Sequence, residues 1–145
     1  MGQVLGVRLA VKGLSLATPS TYKDLIVVVE NDRCIADAIQ TVTGTRLGRR
    51  SFKLKDYGRM AATFMNVTTN HSWRLNIAIK RTINGEDENA VRQALYIPDE
   101  EMPGKPKRVV TCVECGERVF DGKDTIGEKG PVCMACSSGS YYTAN

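Results

Sequence analysis

Four cysteines, Cys112, Cys115, Cys133 and Cys136, are spaced C-x2-C-x17-C-x2-C near the end of a 145-residue chain. Nothing else in the sequence narrows the fold as much. Each C-x-x-C makes a tight knuckle that aims two thiolates at one centre, and two such pairs complete a tetrahedron around one ion. A module of about 35 residues cannot bury enough core to fold alone, so a metal has a structural job there. Gly116, Gly122, Gly127 and Gly130 suit the knuckle and the hairpin between the pairs, and Met134 to Tyr142 suits a short helix. That arrangement resembles a zinc ribbon or treble clef. The alternative, two redox C-x-x-C motifs, normally opens a helix in a thioredoxin-like βαβ unit, and these flanks show none. The expected ion is a structural Zn2+, with iron the rival because all-thiolate sites accept both. Four cysteines leave no open position for a substrate.

The remaining residues suit one ordinary domain. No apolar run approaches the roughly 20 residues a membrane helix needs, so no membrane role is expected. The apolar start, Met1 to Leu16, is interrupted by Lys12 and is amphipathic, which reads as a helix of the folded domain and not as a leader. The clustered cysteines point to metal and not disulfides, and a cytoplasmic location is expected.

Gln3 to Leu14 repeats at helical spacing, with Arg8 and Lys12 on one face. Leu25 to Glu30 (LIVVVE) reads as a buried strand. Asp32 is the expected N-cap of a helix from about Arg33 to Val42 that ends at Gly44. Ser51 to Lys55 alternates as an exposed strand. Ala61 to Val67 and Trp73 to Lys80 read as two strands joined by a hairpin at Thr68 to Ser72. Glu86 to Tyr96 reads as a helix with Val91, Ala94 and Leu95 on one side. The fold class is therefore α+β: helices packed on a mainly antiparallel sheet, plus the small cysteine module. The expected division is a core domain at 1–97, a proline- and charge-rich linker at 98–107, and the zinc finger at 108–145.

The fifth cysteine, Cys34, lies in the first turn of the second helix, a position that favours an anionic group. Asp37 and Gln40 follow at three-residue steps on roughly the same side, and Glu30 ends the strand before them. Cys34 is thus a candidate nucleophile or ligand, with a small core residue as the bland alternative. No general base is identifiable, since His71, the single histidine, falls in a predicted hairpin loop.

The run Glu30-Asn-Asp-Arg-Cys34-Ile-Ala-Asp37-Ala38-Ile-Gln40-Thr-Val-Thr-Gly44-Thr45-Arg-Leu-Gly48-Arg49 resembles the FmdE family of formylmethanofuran dehydrogenase subunits. So does Asp56-Tyr57-Gly58-Arg59, which an alternating strand follows. The resemblance implies an α+β core with a C-terminal zinc finger, a homodimer, and a core site for a metal or small ligand that includes the cysteine matching Cys34. The family's upstream motif, approximately H-x-H-x-C-x-G, ends here at Gly2, so its His and Cys lie outside this sequence. On this reading Cys34, Asp37, Gln40 and Arg49 are the ligand-binding candidates, with a second metal in the core as one option. The parent complex reduces carbon dioxide onto methanofuran with tungsten or molybdenum held by other subunits. The expected role is accessory, in a larger oxidoreductase complex, without catalysis by this chain alone.

One further class is open. Arg46, Arg49, Arg50, Lys53, Lys55 and Arg59 are dense, with Phe52 and Tyr57 among them, and zinc ribbons often contact nucleic acid. The net charge is only +4, and charge runs are usually solvated faces. A nucleic-acid-binding or regulatory zinc-ribbon protein is therefore the less favoured alternative. An anionic small ligand held by these arginines is a middle option.

Overall fold

The computed structural model describes residues 2–77, 88–92 and 95–143. The chain divides into two compact units, Met1–Tyr96 and Ile97–Asn145.

The first unit is a five-stranded sheet carrying two helices. Helix α1 spans Gly2–Ala17 and α2 spans Cys34–Thr43. The strands are β1 (Leu25–Val29), β2 (Phe52–Leu54), β3 (Ala61–Asn66), β4 (His71–Ile77) and β5 (Glu88–Arg92), in the order β2-β1-β3-β4-β5. Only β1 and β2 are parallel, with α2 as their crossover; the other pairs are antiparallel. The fold is thus α+β, as the sequence suggests. Alternation along β1 turns Leu25, Val27 and Val29 toward a core shared with Leu9 and Ala10 of α1, Ile35 and Ile39 of α2, Phe64 and Leu75. β1 reads as an unbroken apolar run because both of its faces are buried: Ile26, on the other face, is also fully buried.

Helix α1 approaches α2 and the sheet through missing side chains. A Cβ built at Gly6 would sit 2.7 Å from the Ala38 Cβ, and one at Gly13 would sit 2.5 Å from the Phe64 ring. The buried stripe of α1 is accordingly Gly6, Leu9, Ala10, Gly13 and Ala17. Its larger valines, Val4, Val7 and Val11, stay exposed. Helix α2 ends as expected at Gly44, whose φ of 71° puts it in the left-handed region and whose N–H donates to the Gln40 carbonyl. Asn66 fastens the C-terminus of α1 to the β3–β4 turn. Its amide donates to the carbonyls of Ala17 and Thr18, and its Oδ1 accepts from the N–H groups of Thr68 and Thr69.

Several expectations need correction. The N-cap of α2 is Arg33, and the side chain that serves it is Asn31, whose Oδ1 accepts from Arg33 N at 2.9 Å. Asp32 instead faces Arg33 at 3.7 Å on the surface. The 51–55 strand is not exposed throughout. β2 lies parallel to β1 with Phe52 against Val27, which buries Phe52 in the core. The turn of the β3–β4 hairpin falls at 67–70, with His71 already in β4. Within the expected 86–96 helix, residues 88–92 form β5, paired antiparallel with 73–77 of β4. The free edge of β4 supplies hydrogen-bond partners that outweigh a weak helical pattern. The remainder of that predicted helix at 86, 87, 93 and 94, and the predicted strand at 78–80, lie outside the described residues.

The second unit is built of two hairpins and a short helix: β6 (Val109–Thr111) with β7 (Arg118–Phe120), β8 (Asp124–Gly127) with β9 (Gly130–Cys133), then α3 (Met134–Ser138). Residues 98–107 belong to this unit. Lys107 reaches Asp99 and donates its N–H to Asp121. Among the described residues no helix is long and apolar enough to cross a membrane.

Candidate metal centre

Each cysteine pair is placed by backbone rules. Cys112 follows β6, and its carbonyl accepts from Gly116 N at 3.0 Å, closing a tight knuckle. Gly116 has φ 77°, which a residue with a Cβ adopts only with strain. Cys133 ends β9 and caps α3, its Sγ accepting from Cys136 N at 3.4 Å. Val113 N donates to the Pro131 carbonyl, which ties the first knuckle to the second hairpin. Arg108 pairs with Asp124 at 2.6 Å across the starts of the two hairpins.

The four Sγ atoms lie within 4.8 Å of one another. The Cys115 and Cys133 sulfurs are 3.8 Å apart. A tetrahedron with metal–sulfur bonds of about 2.3 Å has edges of about 3.8 Å, so the donor set fits one tetrahedral thiolate-loving ion. Cys133 N also donates to Cys112 Sγ at 3.3 Å, the kind of outer hydrogen bond that stabilises a thiolate ligand.

The thiols are electrostatically unequal. The backbone N–H groups of Cys115 and Cys133 lower the Cys112 thiol to about 6. The neighbouring sulfurs of Cys133 and then Cys115 push the Cys136 thiol well above its ordinary value. For Cys115 the Glu117 amide pulls downward, yet the Cys112 thiol and burial leave it raised. The Cys112 sulfur thus favours the thiolate while Cys115 and Cys136 favour the protonated form, and a metal must displace those protons.

The candidate residues of the first unit divide into two places. Cys34 is exposed and opens α2, with Asp37 also exposed in the first turn and Gln40 half-buried one turn on. Gly2 abuts this corner, since a Cβ there would lie 3.7 Å from the Cys34 Cβ. The start of α1 therefore meets the start of α2. Arg49 is elsewhere. Its guanidinium lies 4.9 Å over the Tyr22 ring, and Tyr22 lies beside Gly44 at the far end of α2. Ten helical residues, about 15 Å, separate that end from Cys34.

Glu30 is not available to the Cys34 corner. It is 6% exposed, and Arg74 Nε and Nη2 donate to its two oxygens at 2.7 and 2.8 Å. The Glu30 carboxylate in turn raises the Arg74 guanidinium above its ordinary value, against a smaller effect of burial. Arg59 stands 3.8 Å away. The Glu30 carbonyl accepts from the N–H groups of Tyr57 and Arg59, so this pair also fixes the 56–59 turn. No local pattern announces Arg74. It reaches Glu30 only because β3 lies between β1 and β4.

The family model described as FmdE, Molybdenum formylmethanofuran dehydrogenase operon, matches residues 1–113. The chain belongs to the FmdE family. The match runs through the whole first unit and stops one residue past Cys112, before the first cysteine knuckle closes. Among solved structures, a tungsten formylmethanofuran dehydrogenase FmdE-like protein from Syntrophus aciditrophicus superposes with a TM-score of 0.62 at 17% identity. The alignment covers 96% of this chain and 86% of that one. At that identity the likeness speaks for a shared FmdE fold. No curated protein matches the sequence.

Proposed function

We propose that this FmdE-family chain is a zinc-binding accessory protein. Its four-cysteine centre holds one structural Zn2+, and its core unit receives a small ligand or a second metal at the Cys34 corner. The four converging thiols carry the reading. Two geometric features support the second part: Cys34 and Asp37 share an exposed first turn of α2, and the start of α1 abuts it. Gln40 extends the corner by one turn. Arg49, at the opposite end of α2, is set aside from this ligand set. The structural ion closes its own coordination, so any chemistry belongs to the core and not to the finger. We place the chain as a cytoplasmic homodimer that serves a larger oxidoreductase assembly of the kind its family description names, without turnover of its own.

Elemental analysis of the purified full chain tests this. One zinc per chain is expected, lost in Cys112→Ser and retained in Cys34→Ser. A second metal that disappears only in Cys34→Ser marks the core corner as a metal site. Zinc that survives in Cys112→Ser, or iron in its place, refutes the assignment of the finger.

A further inference from the structure

The two units differ in charge. Residues 1–96 contain 14 Lys and Arg against 8 Asp and Glu, whereas residues 97–145 contain 6 against 8. The finger is slightly acidic, and the whole basic excess belongs to the core unit. Much of it is concentrated between positions 46 and 59, where six basic residues face a single acid, Asp56. Asp56 turns its carboxylate onto its own loop, accepting from Gly58 N at 2.9 Å.

This segment wraps the edge strand β2, whose outer side pairs with no strand among the described residues. Each end of β2 carries an exposed tyrosine under an arginine. Arg49 stacks on Tyr22, which is 46% exposed. Arg59 stacks at 5.5 Å on Tyr57, which is 64% exposed. Lys55 is exposed and lies between Arg49 and Tyr57 in the chain, and Arg46 is exposed three residues before Arg49. Arg46 spends one nitrogen on the carbonyls of Gln40 and Thr45, but a guanidinium has five donors. From Ser51 to Lys55 the strand covers about 13 Å at roughly 3.3 Å per residue. The result is a cationic track with an aromatic platform at each end.

That pairing of features selects among anions. A phosphate or an acidic peptide needs only the cations. A tyrosine that is about half exposed or more, with a guanidinium on one face only, adds what a base can use and a bare phosphate cannot, through sequence-tolerant stacking. We propose that the β2 edge of the core unit binds single-stranded nucleic acid. Arg46, Arg49, Lys55 and Arg59 contact phosphates, and bases stack on Tyr22 and Tyr57. The finger takes no part, so the inference is independent of the metal assignment.

Fluorescence anisotropy of the zinc-loaded full chain with labelled oligo(dT) and oligo(U) of about 20 nucleotides tests it, since single-fold sites span roughly 4–16 nucleotides. Four phosphate contacts on a single strand predict that affinity falls about fiftyfold between roughly 50 and 200 mM salt. Arg49→Glu combined with Lys55→Glu lowers affinity at least about tenfold, by removing two of those contacts and adding repulsion. Tyr57→Ala lowers it at least about fivefold with the salt slope unchanged, because stacking is lost and charge is not. Lys105→Glu with Lys123→Glu, in the finger, leaves it within about twofold, as a unit outside the interface should. No binding at about 50 mM salt overturns the proposal, as does an equal loss from the finger variant. Wild-type affinity in Tyr57→Ala, with heparin competing as well as oligonucleotide, overturns it in favour of a general polyanion surface. Metal content and circular dichroism of each variant separate loss of the surface from loss of the fold. If Arg49→Glu with Lys55→Glu fails to fold, Arg49→Gln with Lys55→Gln replaces it, with a loss of at least about fivefold expected and no loss overturning the proposal.

Discussion

The two units are held together by different means. In the core unit a dozen buried side chains from both helices and the sheet form one contiguous apolar cluster. Among the described residues of the second unit the buried apolar ones are Ile97, Cys112 and Val132, and Cys112 is itself a metal-ligand candidate. Burial at about 25 cal/mol per Å² sustains the first unit and leaves the second without a sufficient driving force. On the proposed reading one chain combines a fold made by packing with a fold made by coordination, and the two should fail under different stresses.

The largest expected effect is metal removal. Structural zinc contributes roughly 10–16 kcal/mol of apparent binding free energy to small four-ligand modules at neutral pH. A strong chelator should therefore abolish amide protection across 109–138 while protection in β1, β3 and α2 persists. Hydrogen exchange read by mass spectrometry resolves the two regions. Simultaneous loss of both would show that the core depends on the finger and would erase the contrast.

Next in size is the Glu30–Arg74 pair, a place where the core unit also relies on charge. Arg74→Met leaves a buried carboxylate without its bidentate partner, which costs about 3 kcal/mol or more. The double variant Glu30→Gln with Arg74→Met should recover most of that, because both charges are then gone. Urea unfolding of the full chain measures it. A single variant within about 0.5 kcal/mol of wild type would mean that Arg59 or water replaces the partner.

Acid should act on the finger first. Cys115 and Cys136 keep their protons above the ordinary thiol range, and Cys112 holds its own only below about 6. The metal-bound state has no such protons. Binding near neutrality therefore releases at least two, so affinity should rise about a hundredfold per pH unit. The stability that metal confers is present at higher pH and lost as pH falls, more steeply once Cys112 also protonates. Competition against a chromophoric chelator from about pH 6 to 8 gives the slope directly. A slope of one or less contradicts the protonation pattern derived from the thiol contacts.

These regions also differ in how far their sequences disclose them. The four cysteines are legible because coordination is local in sequence: spacing alone sets the knuckles. β1 is legible because a run buried on both faces has no polar interruption. β5 is not, since its conformation comes from the open edge of β4 and not from residues 88–92. The packing stripe of α1 is concealed for a related reason. The valines announce a hydrophobic face at Val4, Val7 and Val11, but Gly6 and Gly13 make the contact by having no side chain. The Glu30–Arg74 pair, 44 residues apart, is fixed by strand register. The separation of Arg49 from Cys34 follows only from the stacking on Tyr22 at the far end of α2.

The smallest effects give the sharpest comparison, because the same substitution can be made in each unit. Gly44 and Gly116 have nearly equal φ, 71° and 77°. A Cβ at Gly44 meets Tyr22 at an ordinary 3.7 Å, and one at Gly116 meets nothing within 4 Å. Alanine at either position thus adds backbone strain of about 1–2 kcal/mol and little else. In Gly44→Ala the strain should appear as a lower unfolding midpoint of the core with metal affinity unchanged. In Gly116→Ala it should appear as about a fivefold to thirtyfold loss of metal affinity, with the core midpoint unmoved. The readouts separate because Gly44 caps a helix whose stability comes from packing, whereas Gly116 closes a knuckle whose stability, on the proposed reading, comes from an ion. A core midpoint that shifts in Gly116→Ala would show that the two units unfold together.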